Sequence, residues 1–257
     1  MLCIPCEDME TGGKEVARRR SITTTKYEII QVASEFFLNK GVSQTSPQMI
    51  AAELDMSTGN ITYYFKNKEH LLAVFVEMLC DFQWKMMEKE ADDGHSSIMA
   101  ICLELAAMAS MCDEDEIAKD FYHSAYTSDL CLEIIQRNDA ERAKQVFNQY
   151  CPGWTDEKYA EAEAIVSGVE YATLKTNTFS PSLEMRIAGA LETILATFNV
   201  PEELRKTKIQ KVLGMDFRSI GRRVLKEFKE FVQKTNDETF ESMFSQIRRT
   251  TIQSDNQ

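Results

Sequence analysis

Residues 46–65 read SPQMIAAELDMSTGNITYYF and contain two helix starts separated by one tight turn. Ser46 is a side chain that caps a helix N-terminus, and Pro47 suits the first helical position, where a missing N–H costs nothing. Met49, Ile50, Ala51 and Leu54 then supply one buried side. Asp55-Met56 makes the turn and Ser57 offers a second cap, after which Thr58 to Phe65 has room for barely two turns. Two helices joined in this way form a helix-turn-helix, whose second helix enters the DNA major groove. Ile61 and Phe65 lie four residues apart, share a face and are expected to lock the second helix onto its neighbours. Gly59, Asn60, Thr62 and Tyr63 then point largely the other way, with Thr58 and Tyr64 on the flanks.

The flanks extend the pattern. Upstream, Thr25-Lys26-Tyr27-Glu28 has the form of a capping box. Ile29, Val32, Ala33, Phe36 and Phe37 follow at helical spacing, and Gly41 suits the left-handed position past a helix end. Downstream, Lys66-Asn67-Lys68-Glu69 leads into a long apolar pattern from Leu71 to about residue 90, with Asn67 as its cap. Residues 1–22 show little pattern and end in Arg18-Arg19-Arg20. They read as a tail, either plainly solvated or an arm that reaches phosphates or the minor groove.

Taken in order, Ile29, Val32-Ala33, Phe36-Phe37, Gly41, Thr45, Ile50-Ala51, Ser57, Gly59-Asn60-Ile61, Tyr63-Tyr64-Phe65, Lys66 to Glu69 and Leu71-Leu72 resemble the DNA-binding domain of the TetR (tetracycline repressor)/AcrR family of transcriptional regulators. The resemblance covers roughly residues 23–75. It implies an all-α chain in which an N-terminal three-helix DNA-binding domain precedes a larger helical domain for dimerisation and a small ligand. Asp55 stands where the family usually has glycine, and Asp tolerates a positive φ. Thr62 stands where a tyrosine is common.

These readings assign DNA contacts to Thr45, Ser46, Thr58, Gly59, Asn60, Thr62, Tyr63, Tyr64, Lys66 and Lys68. Gly59 lets a backbone approach closely. Asn60 offers adenine a donor–acceptor pair, and Thr58 and Thr62 can touch a thymine methyl or a phosphate. Tyr63 and Tyr64 can hydrogen-bond phosphate, and Lys68 and the amides near Ser46 face phosphates. Half-buried packing is the alternative for the two tyrosines, and an ordinary solvated charge is the alternative for the lysines.

Charge is distributed accordingly. The chain of 257 residues carries −12 overall, yet residues 14–70 hold eight bases against six acids, while residues 71–257 hold 21 against 32. The acid is concentrated away from the DNA-binding stretch, as in a nucleic-acid module fused to something else. Beyond Gly94 the chain reads as helices over about 96–110, 114–125, 128–150, 155–177, 182–198, 202–213, 216–234 and 237–248. The expected organisation is a tail over 1–22, the DNA-binding domain over 23–83 and a helical effector and dimerisation domain over 84–257.

In the larger region, Trp84, Met87, Met108, Phe121, Tyr122, His123, Tyr126 and Phe147 are candidates to line a ligand site, since such sites are apolar with a few polar anchors. The bland alternative is core packing. Two apolar stripes, one including Ile165 and Val169 and the other Ile187, Leu191 and Ile194, are the candidate dimer surface, on the family's habit of pairing late helices across a two-fold axis. A symmetric dimer would read a palindromic operator in double-stranded DNA. No run approaches the ~18 apolar residues of a membrane span, and the seven cysteines read as reduced thiols, so a cytoplasmic protein is expected. No nucleophile elbow, zinc-helix motif or phosphate loop is present, and no enzyme, metal or cofactor is expected. A helical interaction module whose helix-turn-helix has lost DNA binding is the other reading.

Overall fold

The computed structural model describes residues 22–91 and 97–234. Every regular element among them is a helix: α1 (Ile22–Lys40), α2 (Pro47–Glu53), α3 (Thr58–Tyr64), α4 (Lys68–Ala91), α5 (Ile98–Glu114), α6 (Glu116–Thr127), α7 (Asp129–Phe147), α8 (Asp156–Leu174), α9 (Leu183–Thr197), α10 (Glu202–Leu213) and α11 (Phe217–Lys234). The expected helix over 237–248, the Arg18–Arg20 run, Cys3 and Cys6 lie outside the described residues.

Local chemistry accounts for most boundaries. The Ser46 hydroxyl accepts from the Met49 amide, with Pro47 at the start of α2, and the Ser57 hydroxyl accepts from the Asn60 amide at the start of α3. Asn67 Oδ1 accepts from the His70 amide at 3.1 Å and caps α4. Asp55 adopts φ 49° in the turn, and Gly41 adopts φ 91° after α1. One start differs from the sequence reading. The first helix begins at Ile22, so Thr25 lies inside it rather than at its cap; a capping-box pattern does not terminate a helix whose upstream residues can continue it.

α4 holds the parts together. Leu71 through Met78 are buried on every side of the helix, so this half is enclosed rather than amphipathic. One flank packs against α1, and others pack against α5, α7 and α11. The Phe75 ring sits at the junction, edge-on to Phe37 of α1 (6.0 Å between centroids), to Phe121 of α6 (5.2 Å) and to Phe228 of α11 (5.1 Å). The expected domain border at residue 83 falls within α4. α5 is buried along nearly its whole length and forms the axis of the larger bundle.

Phe75→Ala is expected to lower unfolding free energy by about 3–5 kcal/mol, the usual cost of emptying a large aromatic site. Denaturant unfolding followed by circular dichroism measures it, and a loss under about 1 kcal/mol would show that the three rings close over the gap.

Candidate functional site: nucleic-acid interface and internal cavity

α3 shows two chemically distinct faces. Ile61 (1% exposed) and Phe65 (2%) turn inward into the core that also holds Ile29, Phe37 and Ile50. Gly59, Asn60, Thr62 and Tyr63 are exposed, while Thr58 and Tyr64 are half-buried. Tyr63 is 77% exposed, and its ring leans edge-on against Tyr64 at 5.0 Å. A Cβ on Gly59 would meet nothing nearer than Ser57 Oγ at 3.6 Å, so the protein's own packing does not demand a glycine there. Lys66 is exposed.

Two assigned contacts are otherwise engaged. Thr45 is buried (2%), and its hydroxyl donates to the Gly41 carbonyl at 2.7 Å, so it closes the α1–α2 turn and presents nothing outward. Lys68 is half-buried and donates to the Val42 carbonyl at 2.8 Å, so its ammonium is drawn onto the same turn instead of projecting freely. Ser46 contributes its capping hydroxyl to α2. The turn is also fastened from above. Asp120 of α6 accepts from the Ser43 amide at 2.9 Å and from the Ser43 hydroxyl, and its carboxylate fills the space a Cβ on Gly41 would need.

The larger bundle encloses a cavity of about 70 Å³ between α4, α5, α6, α7, α8 and α9. Trp84, Met108, Phe121, Tyr122, Tyr126 and Phe147 line it, as expected of ligand-site candidates. Met87 and His123 do not. Met87 is fully buried elsewhere in α4's packing, and His123 is exposed on the outer side of α6, its Nδ1 2.8 Å from the Tyr171 hydroxyl. Sequence reasoning missed the polar lining: Gln83, Glu104, Asp139, Arg142, Glu163 and Glu170. Arg142 Nη1 lies 3.1 Å from Asp139 and 3.9 Å from Glu104, and its guanidinium sits over the Trp84 ring. Tyr126 donates to Glu170 at 2.9 Å. Burial raises all four carboxyls, Glu104 to about 7 and Glu163 to about 10, with the field of Asp139 adding to the rise of Glu163. A sequence signal existed: Glu104 interrupts an otherwise apolar helix, and Glu163 and Glu170 lie two turns apart on one face.

Residues 29–74 match the sequence profile of bacterial regulatory proteins of the tetR family. The chain carries a tetR-family helix-turn-helix. A probable HTH-type transcriptional regulator, YttP of Bacillus subtilis (strain 168), is 43% identical over 58 residues, which is 21% of this chain and 28% of that protein. The chain thus spans less than a third of the curated relative it matches. Among solved structures, SmeT, the repressor of the Stenotrophomonas maltophilia multidrug efflux pump SmeDEF, aligns with TM-score 0.47 at 20% identity over 68% of this chain and 93% of its own. CprB, a TetR-family protein of S. coelicolor A3(2), aligns with TM-score 0.38 at 18% identity over 79% of this chain and 99% of its own.

The tetR-family match ends at residue 74, so it bears on the helix-turn-helix and not on the later helices. There, the sequence-predicted dimer stripe needs correction. Ile187, Leu191 and Ile194 are 0–1% exposed and point into the chain's own bundle. Ile165 is 54% exposed and Val169 half-buried, so α8 keeps part of its assigned stripe outside. No helix among the described residues is long and apolar enough to cross a membrane.

The raised carboxyls make stability depend on pH. Glu163 is neutral in the folded chain and ionised in the unfolded chain from its ordinary 4.5 up to about 10. The folded state therefore holds the extra proton across that window, and stability falls as pH rises through it. The melting temperature of the wild type is expected to drop between pH 6 and pH 9, and Glu163→Gln, which cannot ionise, to drop less. Parallel melting curves for the two proteins would contradict the assignment.

Proposed function

We propose that this protein is a sequence-specific transcriptional regulator, a repressor that binds a palindromic operator as a homodimer and releases it when a small molecule fills the internal cavity. The observation that carries the reading is α3: its apolar side is locked into the core while Gly59, Asn60, Thr62 and the 77%-exposed Tyr63 face outward. The core does not use the Tyr63 side chain or require Gly59 to lack one, whereas a phosphate would accept from the Tyr63 hydroxyl and a close approach to a groove floor would use Gly59. The tetR-family match over residues 29–74 supports the same reading. Thr58, Tyr64, Lys66 and the amides at the start of α2 complete the surface.

A route between cavity and DNA face is built in. α6 brings Phe121, Tyr122 and Tyr126 to the cavity and Asp120 to the turn between α1 and α2. Phe121, Phe75 and Phe37 form a continuous run of edge-on rings from the cavity wall to the core beneath α3. A shift of α6 on ligand entry would tilt that turn and change the spacing of two recognition helices across a dimer. For the dimer, the outward faces are Ala164, Ile165, Gly168 and Ala172 on α8 with Met185 and Gly189 on α9, of which Ile165 and Met185 (67% exposed) are the large apolar groups. Paired across a two-fold axis they would form a four-helix contact.

Selection of bound duplexes from random DNA is expected to return a palindrome, and recovery without sequence preference would overturn the proposal. On the selected operator, Tyr63→Ala is expected to weaken binding about ten- to a hundredfold with helicity unchanged, as loss of one good contact does, and affinity should fall steeply with salt. An unchanged gel-shift midpoint would remove Tyr63 from the interface. Sedimentation of an Ile165→Glu, Met185→Glu double variant is expected to give monomers. A persistent dimer would place the contact elsewhere.

A further inference from the structure

The polar lining of the cavity is unbalanced in its ionisable groups. Four carboxyl groups line it, from α5 (Glu104), α7 (Asp139) and α8 (Glu163, Glu170), against one basic group among the described lining residues, Arg142. That guanidinium is already engaged, between Asp139 and Glu104, with a further hydrogen bond to the Cys80 carbonyl. No ion pair to Glu163 or Glu170 is formed among the described residues, and Glu170 accepts a hydrogen bond from Tyr126. A second, independent feature is Gln83 of α4. It is 3% exposed, its Oε1 accepts from the Tyr122 hydroxyl at 3.4 Å, and its Nε2 has no partner. A buried amide donor left without an acceptor is rare in a folded protein and marks a place where an acceptor belongs. The apolar part of the wall combines six aromatic rings, those of Trp84, Phe121, Tyr122, Tyr126, Phe147 and Phe198, with aliphatic and sulfur-bearing side chains.

Each element narrows the occupant. A buried carboxyl can give up its proton beside an entering cation, whereas an anion keeps it protonated and gains no charge partner from it. Aromatic faces favour an organic ammonium, above all a quaternary one, through the ring quadrupole. A metal ion is disfavoured because the carboxyls are spread around the wall, and no group of three or more metal-binding side chains exists among the described residues. The unpartnered Nε2 of Gln83 can donate to an accepting oxygen on the occupant. The volume, about 70 Å³, limits the occupant to a small molecule and requires the surrounding side chains to move outward as it enters.

Resting on the reading of this cavity as the effector site, we propose that it binds a compact organic cation bearing a hydrogen-bond-accepting oxygen, with Glu163 and Glu170 facing the ammonium and Gln83 donating to the oxygen. Burial holds both glutamyl carboxyls neutral. An entering cation restores the ionised form of one of them, and the displaced proton passes to solvent. Other titratable groups face the same space: Cys80 of α4, Glu104 of α5, Tyr122 and Tyr126 of α6, and Asp139 beside Arg142 of α7. The thiol and both phenols are pushed further up by burial and stay protonated, Arg142 stays charged, and Glu104 and Asp139 share its guanidinium. Affinity should therefore rise with pH, by at most about tenfold per unit for one proton released.

Calorimetry on the full chain without DNA tests this with three probes of one shape: choline, its uncharged analogue 3,3-dimethylbutan-1-ol, and the anion 3,3-dimethylbutanoate. Choline is expected to bind at least about tenfold more tightly than the alcohol, more tightly at pH 8 than at pH 6, and with an enthalpy that tracks the buffer's heat of ionisation. The anion should not bind. The conservative variant Glu163→Gln, Glu170→Gln, which mimics the neutral carboxyls and retains their volume, should fold and bring choline down to the alcohol's affinity. The proposal is overturned if choline does not bind, if the alcohol or the anion binds as well as choline, or if the double variant holds choline unchanged. Because no DNA is present, these outcomes are independent of the operator selection that tests the regulator reading.

Discussion

The edge-on contact of Phe75 with Phe37, Phe121 and Phe228 is the constraint from which the architecture follows. Three helices that are distant in sequence meet on one ring of α4, and each meeting removes apolar surface from water on a different side of that helix. α4 consequently cannot slide or rotate past α1 without disturbing α6 and α11. A helix-turn-helix standing alone would be small for an independent core. Here its inner residues belong to the same continuous apolar cluster as the bundle above it. The orientation of α3 is thus set by packing that extends well beyond the helices usually credited with it.

Features legible in the sequence were those decided within a few residues. Ser46, Ser57 and Asn67 cap because a side-chain oxygen finds an amide three positions on, and Asp55 turns because its own backbone tolerates φ 49°. The outward face of α3 was legible for the same reason: Ile61 and Phe65 fix the helix's rotation, and Tyr63 follows. Thr45 is assigned to DNA by its place in the family pattern, and Lys68 because its chemistry suits phosphate. A hydroxyl or ammonium can also bond a carbonyl of its own chain, and nothing in the residue type chooses between the two.

Farther along, the pattern identified burial but not the neighbour. Ile187, Leu191 and Ile194 do form a stripe, and it is buried; an apolar stripe carries no mark to distinguish its own bundle from a second copy. The cavity was half legible. Its aromatic wall was visible as residues, whereas its carboxyls come from α5, α7 and α8 and converge only through tertiary packing. Glu104 stands out within an apolar helix and Glu163 shares a face with Glu170, but neither pattern says that the two meet in one cavity.

The joint between α1 and α2 has a historical corollary. Gly41 is held at φ 91°, and Asp120, tied to Ser43 by two hydrogen bonds, occupies the volume where a side chain would begin. A larger residue at 41 therefore meets two obstacles at once, a backbone conformation that L-residues avoid and a carboxylate that cannot swing aside without abandoning its partners. Neither can be relieved by changing position 41 alone. In descendants of this chain, positions 41, 43 and 120 should drift as a set or stay still, a small epistatic knot on an otherwise ordinary surface turn.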